Sequence, residues 1–304
     1  MKESVLKYNA GTVWARMDSL KKELVKGVSF EIFSGESLAL IGETGSGKTM
    51  IAQSIMGVLP RNVRMTETSV LFCGNPLPSG KKLRAILGKD IVYIPQNGHE
   101  FLNPSGKIRQ HFYDSLKKLG TPTKDLERIA CENLKKVGFS DPKEIMGKYS
   151  FQLSGGMAQR VTIALALCHQ AKLLIADEAT NGLDSEAKQQ FFLMLRELFP
   201  KTAKLLITHD ISVASMCDSI LVLCGGKMQE KGSADEILKA PQHPYTKALM
   251  GALVENGMRE TPVLREEIGE CPFYGRCPEG AGACIEEQIP VQRKGRREWW
   301  CRFA

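Results

Sequence analysis

The sequence contains no run of about 18 consecutive apolar residues, the length that a membrane-spanning helix requires. Its best runs, such as Val161 to Cys168, are short and lie between charged segments, so a helical membrane span is not expected. Met1-Lys2-Glu3-Ser4 leads into a mixed polar stretch with neither an apolar signal core nor a small-residue cleavage site, which points to residence in the cytosol. Neither charge sign dominates strongly. The formal net charge of +7 is spread along the chain, so a solvated basic surface is favoured over a nucleic-acid partner. With 43% hydrophobic and 25% charged residues, composition argues against disorder or a fibrous repeat. A length of 304 residues allows one large α/β domain plus an appendage.

Cysteine is present, but not in the pattern of a secreted disulfide scaffold. A reducing compartment leaves nine cysteines as free thiols or ligands. Cys73, Cys131, Cys168, Cys217 and Cys224 are scattered through apparent core elements, where a free Cys behaves as a small hydrophobe. Cys271, Cys277, Cys284 and Cys301 instead crowd into the last 34 residues, 271–304.

Short apolar runs at Ser37–Ile41, Ile91–Ile94, Leu173–Ala176, Leu205–Thr208 and Ile220–Leu223 end in turn residues and read as buried parallel strands. Helical patterns alternate with them at Thr49–Gly57, Leu126–Val137, Gly156–His169 and Ser185–Leu198. That alternation predicts an α/β, doubly wound sheet. From about Asn97 to Leu153 the chain is Lys-rich and mostly helical, and reads as an inserted helical subdomain. After Gly232 the pattern gives way to a Gly/Pro/Cys-rich tail, expected to be a separate appendage. Within it Arg293, Lys294, Arg296 and Arg297 lie beside Trp299 and Trp300, a solvated basic tail with lipid-headgroup contact as the alternative.

Gly42-Glu43-Thr44-Gly45-Ser46-Gly47-Lys48-Thr49 fits G-x-x-x-x-G-K-[ST], directly after a strand and opening a helix. Such a loop cradles phosphates: backbone N–H groups and the helix N-terminus face the anion, Lys48 reaches the β and γ phosphates, and the Thr49 hydroxyl ligates Mg²⁺. Further along stand Tyr93-Ile94-Pro95-Gln96, Leu153-Ser154-Gly155-Gly156-Met157 with Gln159-Arg160, and Leu173-Leu174-Ile175-Ala176-Asp177-Glu178. They are followed by Asn181-Gly182-Leu183-Asp184 and Thr208-His209-Asp210. Taken singly, a Ser-Gly-Gly turn, a loop Gln or a His after a strand would be unremarkable.

In this order and spacing, across residues of about 28–232, these stretches resemble the Q-loop, signature, Walker B, D-loop and switch histidine of ABC transporter ATPases. The resemblance implies a P-loop NTPase (RecA-like) ABC ATPase core that binds ATP and Mg²⁺. Catalytic roles fall on Glu178, which would activate water, and on His209 and Gln96; Thr49, Gln96 and Asp177 would surround Mg²⁺. Ser154, Gly155, Gly156 and Asp184 would face the ATP of a partner subunit. An adenine-stacking aromatic is expected upstream of the P-loop, Trp14 first and Tyr8 second, with plain sheet packing as the alternative. Ala179 and Gly182 depart from the family's usual proline and alanine without removing a group needed for chemistry.

Leu102-Asn103-Pro104, Pro241-Gln242-His243-Pro244-Tyr245-Thr246 and the spacing Cys271-Pro272-Phe273, Arg276-Cys277-Pro278, Cys284 resemble the oligopeptide, dipeptide and nickel importer ATPases. That likeness implies a nucleotide-binding domain at 1–232, with its helical subdomain at about 97–153, and a Cys-rich C-terminal extension at 233–304. It also implies ATP-driven import of peptides or of nickel or another chelated metal, at the cytoplasmic face of the membrane as a peripheral subunit. The expected partners are a second, non-identical ABC ATPase, two membrane permease subunits and an extracytoplasmic substrate-binding protein, with no nucleic acid. The alternative is a soluble ABC ATPase of translation or DNA repair, which would usually carry two cassettes or a coiled-coil insertion. Cys271, Cys277, Cys284 and Cys301 are expected to ligate a [4Fe–4S] cluster, as the likeness implies. Zinc and four unligated thiols are the alternatives, although the short C-x₂₋₄-C pairs typical of structural zinc are absent.

Overall fold

The computed structural model describes residues 2–17, 20–66, 69–252 and 269–303. Residues 253–268 of the expected C-terminal extension lie outside the described residues. The strands are β1 (Ser4–Met17), β2 (Leu20–Phe33), β3 (Ser37–Gly42), β4 (Val63–Thr66), β5 (Ser69–Phe72), β6 (Asn75–Pro76) and β7 (Ile91–Ile94). They continue with β8 (Leu173–Asp177), β9 (Ala203–Ile207), β10 (Ser219–Cys224), β11 (Lys227–Ser233), β12 (Val291–Lys294) and β13 (Arg297–Trp300). The helices run α1 (Lys48–Met56), α2 (Gly80–Ile86), α3 (Gly98–Phe101), α4 (Ile108–Lys118), α5 (Leu126–Lys136) and α6 (Pro142–Gly147). After them come α7 (Gly155–Ala166), α8 (Ser185–Leu198), α9 (Ile211–Ala214), α10 (Ala234–Lys239), α11 (Pro244–Gly251) and α12 (Ala283–Glu286).

Two compact units result: one comprises 1–5, 33–36 and 78–206, the other 6–32, 37–77 and 207–304. In the first, β7 and β8 pair in parallel in the register Ile91↔Leu173 to Ile94↔Ala176, and β8 neighbours β9. All five residues of β8 are buried, as expected for a parallel strand covered on both faces. Lys204 is buried within β9, its ammonium donating to the carbonyl oxygens of Phe199 (2.6 Å) and Thr202 (3.0 Å), which lets a charged residue occupy a core strand. The stretch expected to be helical between Asn97 and Leu153 contains α3 to α6. Its amphipathic spacing is direct: Ile108, Phe112 and Leu116 of α4 recur every four residues and are all buried. Each such side chain contributes about 1.5–3 kcal/mol of transfer free energy.

The second unit holds two sheets. One has the order β2-β1-β5-β6, with β4 also pairing β1. The other runs β12-β13-β11-β10-β3, in which β3 and β10 are parallel and β11 and β13 antiparallel to their neighbours.

The end of the chain corrects the expectation of an appendage that stands apart. The β12–β13 hairpin extends the sheet, with Trp299 opposite Glu230 and Glu298 opposite Lys231 of β11. Of the basic cluster Arg293, Lys294 and Arg296 are exposed, as a solvated surface requires, but Arg297 is not. Arg297 is buried and ion-paired with Glu230, which is fully buried and also accepts N–H donors from Gln242 and His243. A buried carboxylate is tolerated only when paired and hydrogen-bonded in this way.

Candidate functional site

In the second unit β3 ends at Gly42 and α1 begins at Lys48, so the intervening turn carries the candidate phosphate cradle. Gly47 caps α1 with φ 95°, and a Cβ there would stand 2.7 Å from the Leu24 carbonyl oxygen, so no other residue fits without displacing backbone. Lys48 is buried, and its ammonium donates to the carbonyl oxygens of Gly42 and Glu43, both at 2.8 Å, and to Ser46 Oγ at 3.4 Å. Thr44 and Gly45 are exposed at the crest of the turn, and Thr49 opens the helix half-buried. An ammonium held by the loop's own carbonyl groups is poised over the cradle, and an incoming phosphate offers it a stronger, charge-assisted partner.

Glu43 is also gripped from its far side. Its N–H donates to Tyr245 Oη (3.1 Å), and its carboxylate receives both terminal nitrogens of Arg276, at 2.6 and 3.0 Å. Tyr245 lies in the Pro-Gln-His-Pro-Tyr-Thr stretch, where His243 Nδ1 accepts the Tyr245 N–H at 3.0 Å and caps α11. Burial pulls the His243 pKa down to about 3, so the imidazole remains neutral and able to accept. Burial, with the charges of Cys224 and Glu43, pushes the Tyr245 phenol above its ordinary value. Neither Tyr245 nor Arg276 was assigned a role from the sequence.

His209 follows β9 and is exposed, and Asp210 behind it caps α9 by accepting the Ser212 N–H at 2.8 Å. Trp14, on β1 opposite Arg64 of β4, is half-buried, with the Lys21 ammonium 4.6 Å from its ring centroid. Tyr8, the second choice for the base, is fully buried and stacked on Phe30 with ring centroids 5.2 Å apart, leaving no face open to adenine.

The first unit carries the remaining nucleotide-site candidates. Asp177 ends β8, buried, and accepts a hydrogen bond from Tyr93 Oη at 3.4 Å. Burial and the Asp177 charge push the Tyr93 pKa up to about 12, so the phenol stays a donor. Glu178 follows at φ 47°, a left-handed conformation uncommon for a residue with a Cβ. Strain of this kind gathers at functional sites. Asp184 is exposed and caps α8 through the Ala187 N–H at 2.8 Å. Ser154 caps α7 by accepting the Met157 N–H at 3.2 Å, and Gly155 and Gly156 form the exposed and half-buried first turn. The first N–H groups of a helix lack intrahelical partners and present an anion-binding end.

Gln96 is exposed, one residue after a Pro95 whose carbonyl oxygen accepts from Gln159 Nε2 of α7 at 3.2 Å. Two residues later Gly98 lies so close to α7 that a Cβ would stand 2.8 Å from the Ala158 carbonyl carbon. The segment of Gln96 and the helix of Ser154 are thus locked together within one unit. Neither the role of Gln159 nor that of Gly98 is legible in the sequence, because both depend on the close approach of α7.

Of the four C-terminal cysteines, Cys284 and Cys301 are buried and Cys271 and Cys277 half-buried, all as free thiols. The Cys271 N–H donates to the Cys284 carbonyl oxygen at 2.9 Å. Burial raises the Cys271 thiol to about 11, with the other three thiols adding to the shift; Cys277 is also raised, by burial first. Among the described residues no group of three or more His, Cys, Asp or Glu is gathered closely enough to hold a metal ion.

A strand, a glycine-containing turn and a helix that buries a lysine over the turn define a P-loop nucleotide-binding ATPase. The family profile described as ABC transporter matches residues 25–181, and that described as oligopeptide/dipeptide transporter, C-terminal region, matches residues 229–284. The chain belongs to the ABC transporter family, as an ATP-binding and ATP-hydrolysing subunit. It is 38% identical to the dipeptide transport ATP-binding protein DppD of Bacillus subtilis, over 86% of this chain and 83% of that protein. It is 35% identical to the nickel import ATP-binding protein NikD of Rhodospirillum rubrum, over 75% of this chain and 87% of that one. Among solved structures, the dimeric bacterial ABC transporter cassette MJ0796 is similar, with a TM-score of 0.67 and 25% identity over 75% of this chain and 98% of that chain. No described helix is long and apolar enough to cross a membrane.

Proposed function

We propose that this chain is the ATPase of an importer for peptides, or for nickel or another chelated metal. In this reading Gly42 to Thr49 bind the phosphates, Thr49, Gln96 and Asp177 surround Mg²⁺, Glu178 activates water and His209 senses the γ-phosphate; Trp14 is the adenine-stacking choice. Residues 1–232 are the nucleotide-binding domain and 233–304 its C-terminal extension. Two permease subunits, an extracytoplasmic binding protein and a second ABC ATPase complete the assembly at the cytoplasmic face of the membrane. The observation that carries the reading is the oligopeptide/dipeptide-type C-terminal region on the same chain as the cassette. Relatives named for dipeptide transport and nickel import support it and do not favour a soluble translation or repair ATPase.

Co-expression with the permease subunits of an importer of this type tests it. The chain is expected to sediment with membranes only in their presence, and its ATPase activity to rise when the cargo-loaded binding protein is added. A chain that stays in the soluble fraction beside its co-expressed permeases would return the soluble alternative to first place.

The reading includes a [4Fe–4S] cluster on Cys271, Cys277, Cys284 and Cys301. It rests on the resemblance of the Cys271, Cys277, Cys284 and Cys301 spacing to that of importer ATPases, four thiolates being the number such a cluster requires. Its contribution would be to fold and position the extension, whose short length leaves little core of its own. Protein purified without oxygen is expected to be brown, with equal iron and acid-labile sulfide. Stoichiometric zinc in colourless protein would replace the cluster, and metal-free folded protein would remove both.

A further inference from the structure

A carboxylate in a phosphate-binding loop is an electrostatic liability, because ATP brings several negative charges to the same turn. Glu43 is such a residue, directly after Gly42, and it is not left to solvent. Both of its carboxylate oxygens are held by Arg276, whose side chain is only 6% exposed, while that of Glu43 is 41% exposed. The guanidinium packs against both Tyr245 and Phe273, 5.8 and 5.1 Å from their ring centroids, and the two rings contact each other edge-on at 5.3 Å, so its position is set by packing as well as by charge. Tyr245 takes the Glu43 N–H, and the Glu43 carbonyl oxygen receives Lys48 Nζ. Glu43 is therefore a junction: its carbonyl faces the lysine of the cradle, while its N–H and carboxylate are held by residues more than 200 positions later.

We propose that Arg276 is a positioning residue of the ATP site, neutralising Glu43 and fixing its peptide so that Lys48 can exchange the loop's carbonyl groups for phosphate. The C-terminal segment thereby acts on nucleotide affinity in its own chain. Bidentate geometry matters here because it fixes orientation as well as charge, which a lysine at the same position could not do. The inference rests on ATP occupying the Gly42–Thr49 loop.

Equilibrium binding of a fluorescent ATP analogue to the full chain, at low and moderate salt, tests it. Arg276→Gln is expected to weaken binding roughly tenfold, since it leaves an unneutralised charge near the phosphates, and the loss should shrink as salt screens that charge. Adding Glu43→Gln to that variant should recover most of the affinity, a rescue that a general loss of packing at Arg276 would not give. If Arg276→Gln yields no folded protein, Arg276→Lys carries the test, with binding expected about two- to threefold weaker because the fork is lost and the charge kept. Wild-type affinity in the single variants, or a double variant as weak as Arg276→Gln alone, would overturn the proposal. Lys48→Ala separates the two readings: unchanged binding there means that ATP does not use this loop. Weakened binding in Lys48→Ala beside normal binding in the Arg276 variants refutes the positioning role alone.

Discussion

Glu178→Gln is expected to leave ATP binding intact and to lower turnover by about 10²–10⁴-fold, the range removed with a general base. That loss corresponds to about 3–5 kcal/mol of transition-state stabilisation. Glutamine keeps the volume and the hydrogen-bonding reach of the side chain, so the variant separates charge from shape. The two adjacent acids are already distinguished in the structure. Asp177 is buried at the end of β8 and accepts from Tyr93, as suits a fixed partner of a metal shell. Glu178 is only half-buried and stands on a left-handed backbone at φ 47°, which turns the chain out of the strand direction immediately after Asp177. A backbone held in that region costs about 1–3 kcal/mol, so surrounding structure must enforce it. The measurement is ATPase rate and ATP affinity of the assembled transporter; near-wild-type turnover in the variant would assign water activation to another group.

What could be read from the sequence was local or periodic. The turn of Gly42 to Thr49 declares itself because its glycines, lysine and threonine occupy fixed offsets between an apolar strand and a helix. The buried strands β3, β7 and β8 appear as uninterrupted apolar runs, and Ser154 and Asp184 stand where helix caps belong. Contacts across long sequence separations left no such trace. Glu43 and Arg276 are 233 residues apart, and Glu230 and Arg297 are 67 apart; each is an ordinary charged residue until the fold pairs it. The tail read as a loose appendage because Gly, Pro and Cys erase any period. Its last strand nonetheless completes a sheet by backbone pairing with β11, which depends on register rather than on composition. Tyr8 misled for a related reason: an aromatic on a strand points to one face or the other, and only the fold shows that this one faces Phe30 in the core.

Gly155→Asp is expected to abolish most hydrolysis in the assembled pair of ATPase subunits while leaving ATP binding at Lys48 of the same chain nearly unchanged. The Ser154 hydroxyl is engaged by the Met157 N–H, and the Ala158 N–H is bonded to the Ser154 carbonyl. The N–H groups of Gly155 and Gly156 therefore remain at the exposed start of α7, the kind of helix end that receives phosphate. An aspartate there sets a negative charge against that end, and losing preorganised donors of this sort costs about 10²–10³-fold in rate. The expectation follows from the composite-site reading, in which each signature serves the ATP of the other subunit. On that proposal Ser154 and Gly155 would affect the partner's turnover, whereas Lys48 would affect binding in its own chain. A complex of Gly155→Asp with an unaltered partner should lose hydrolysis at the partner's P-loop, and Lys48→Ala in the same chain should not restore it. The isolated chain should be a slow ATPase that accelerates on assembly. If it turns over ATP as fast alone as in the complex, the signature of a second subunit is not required, and the two-subunit site must be abandoned.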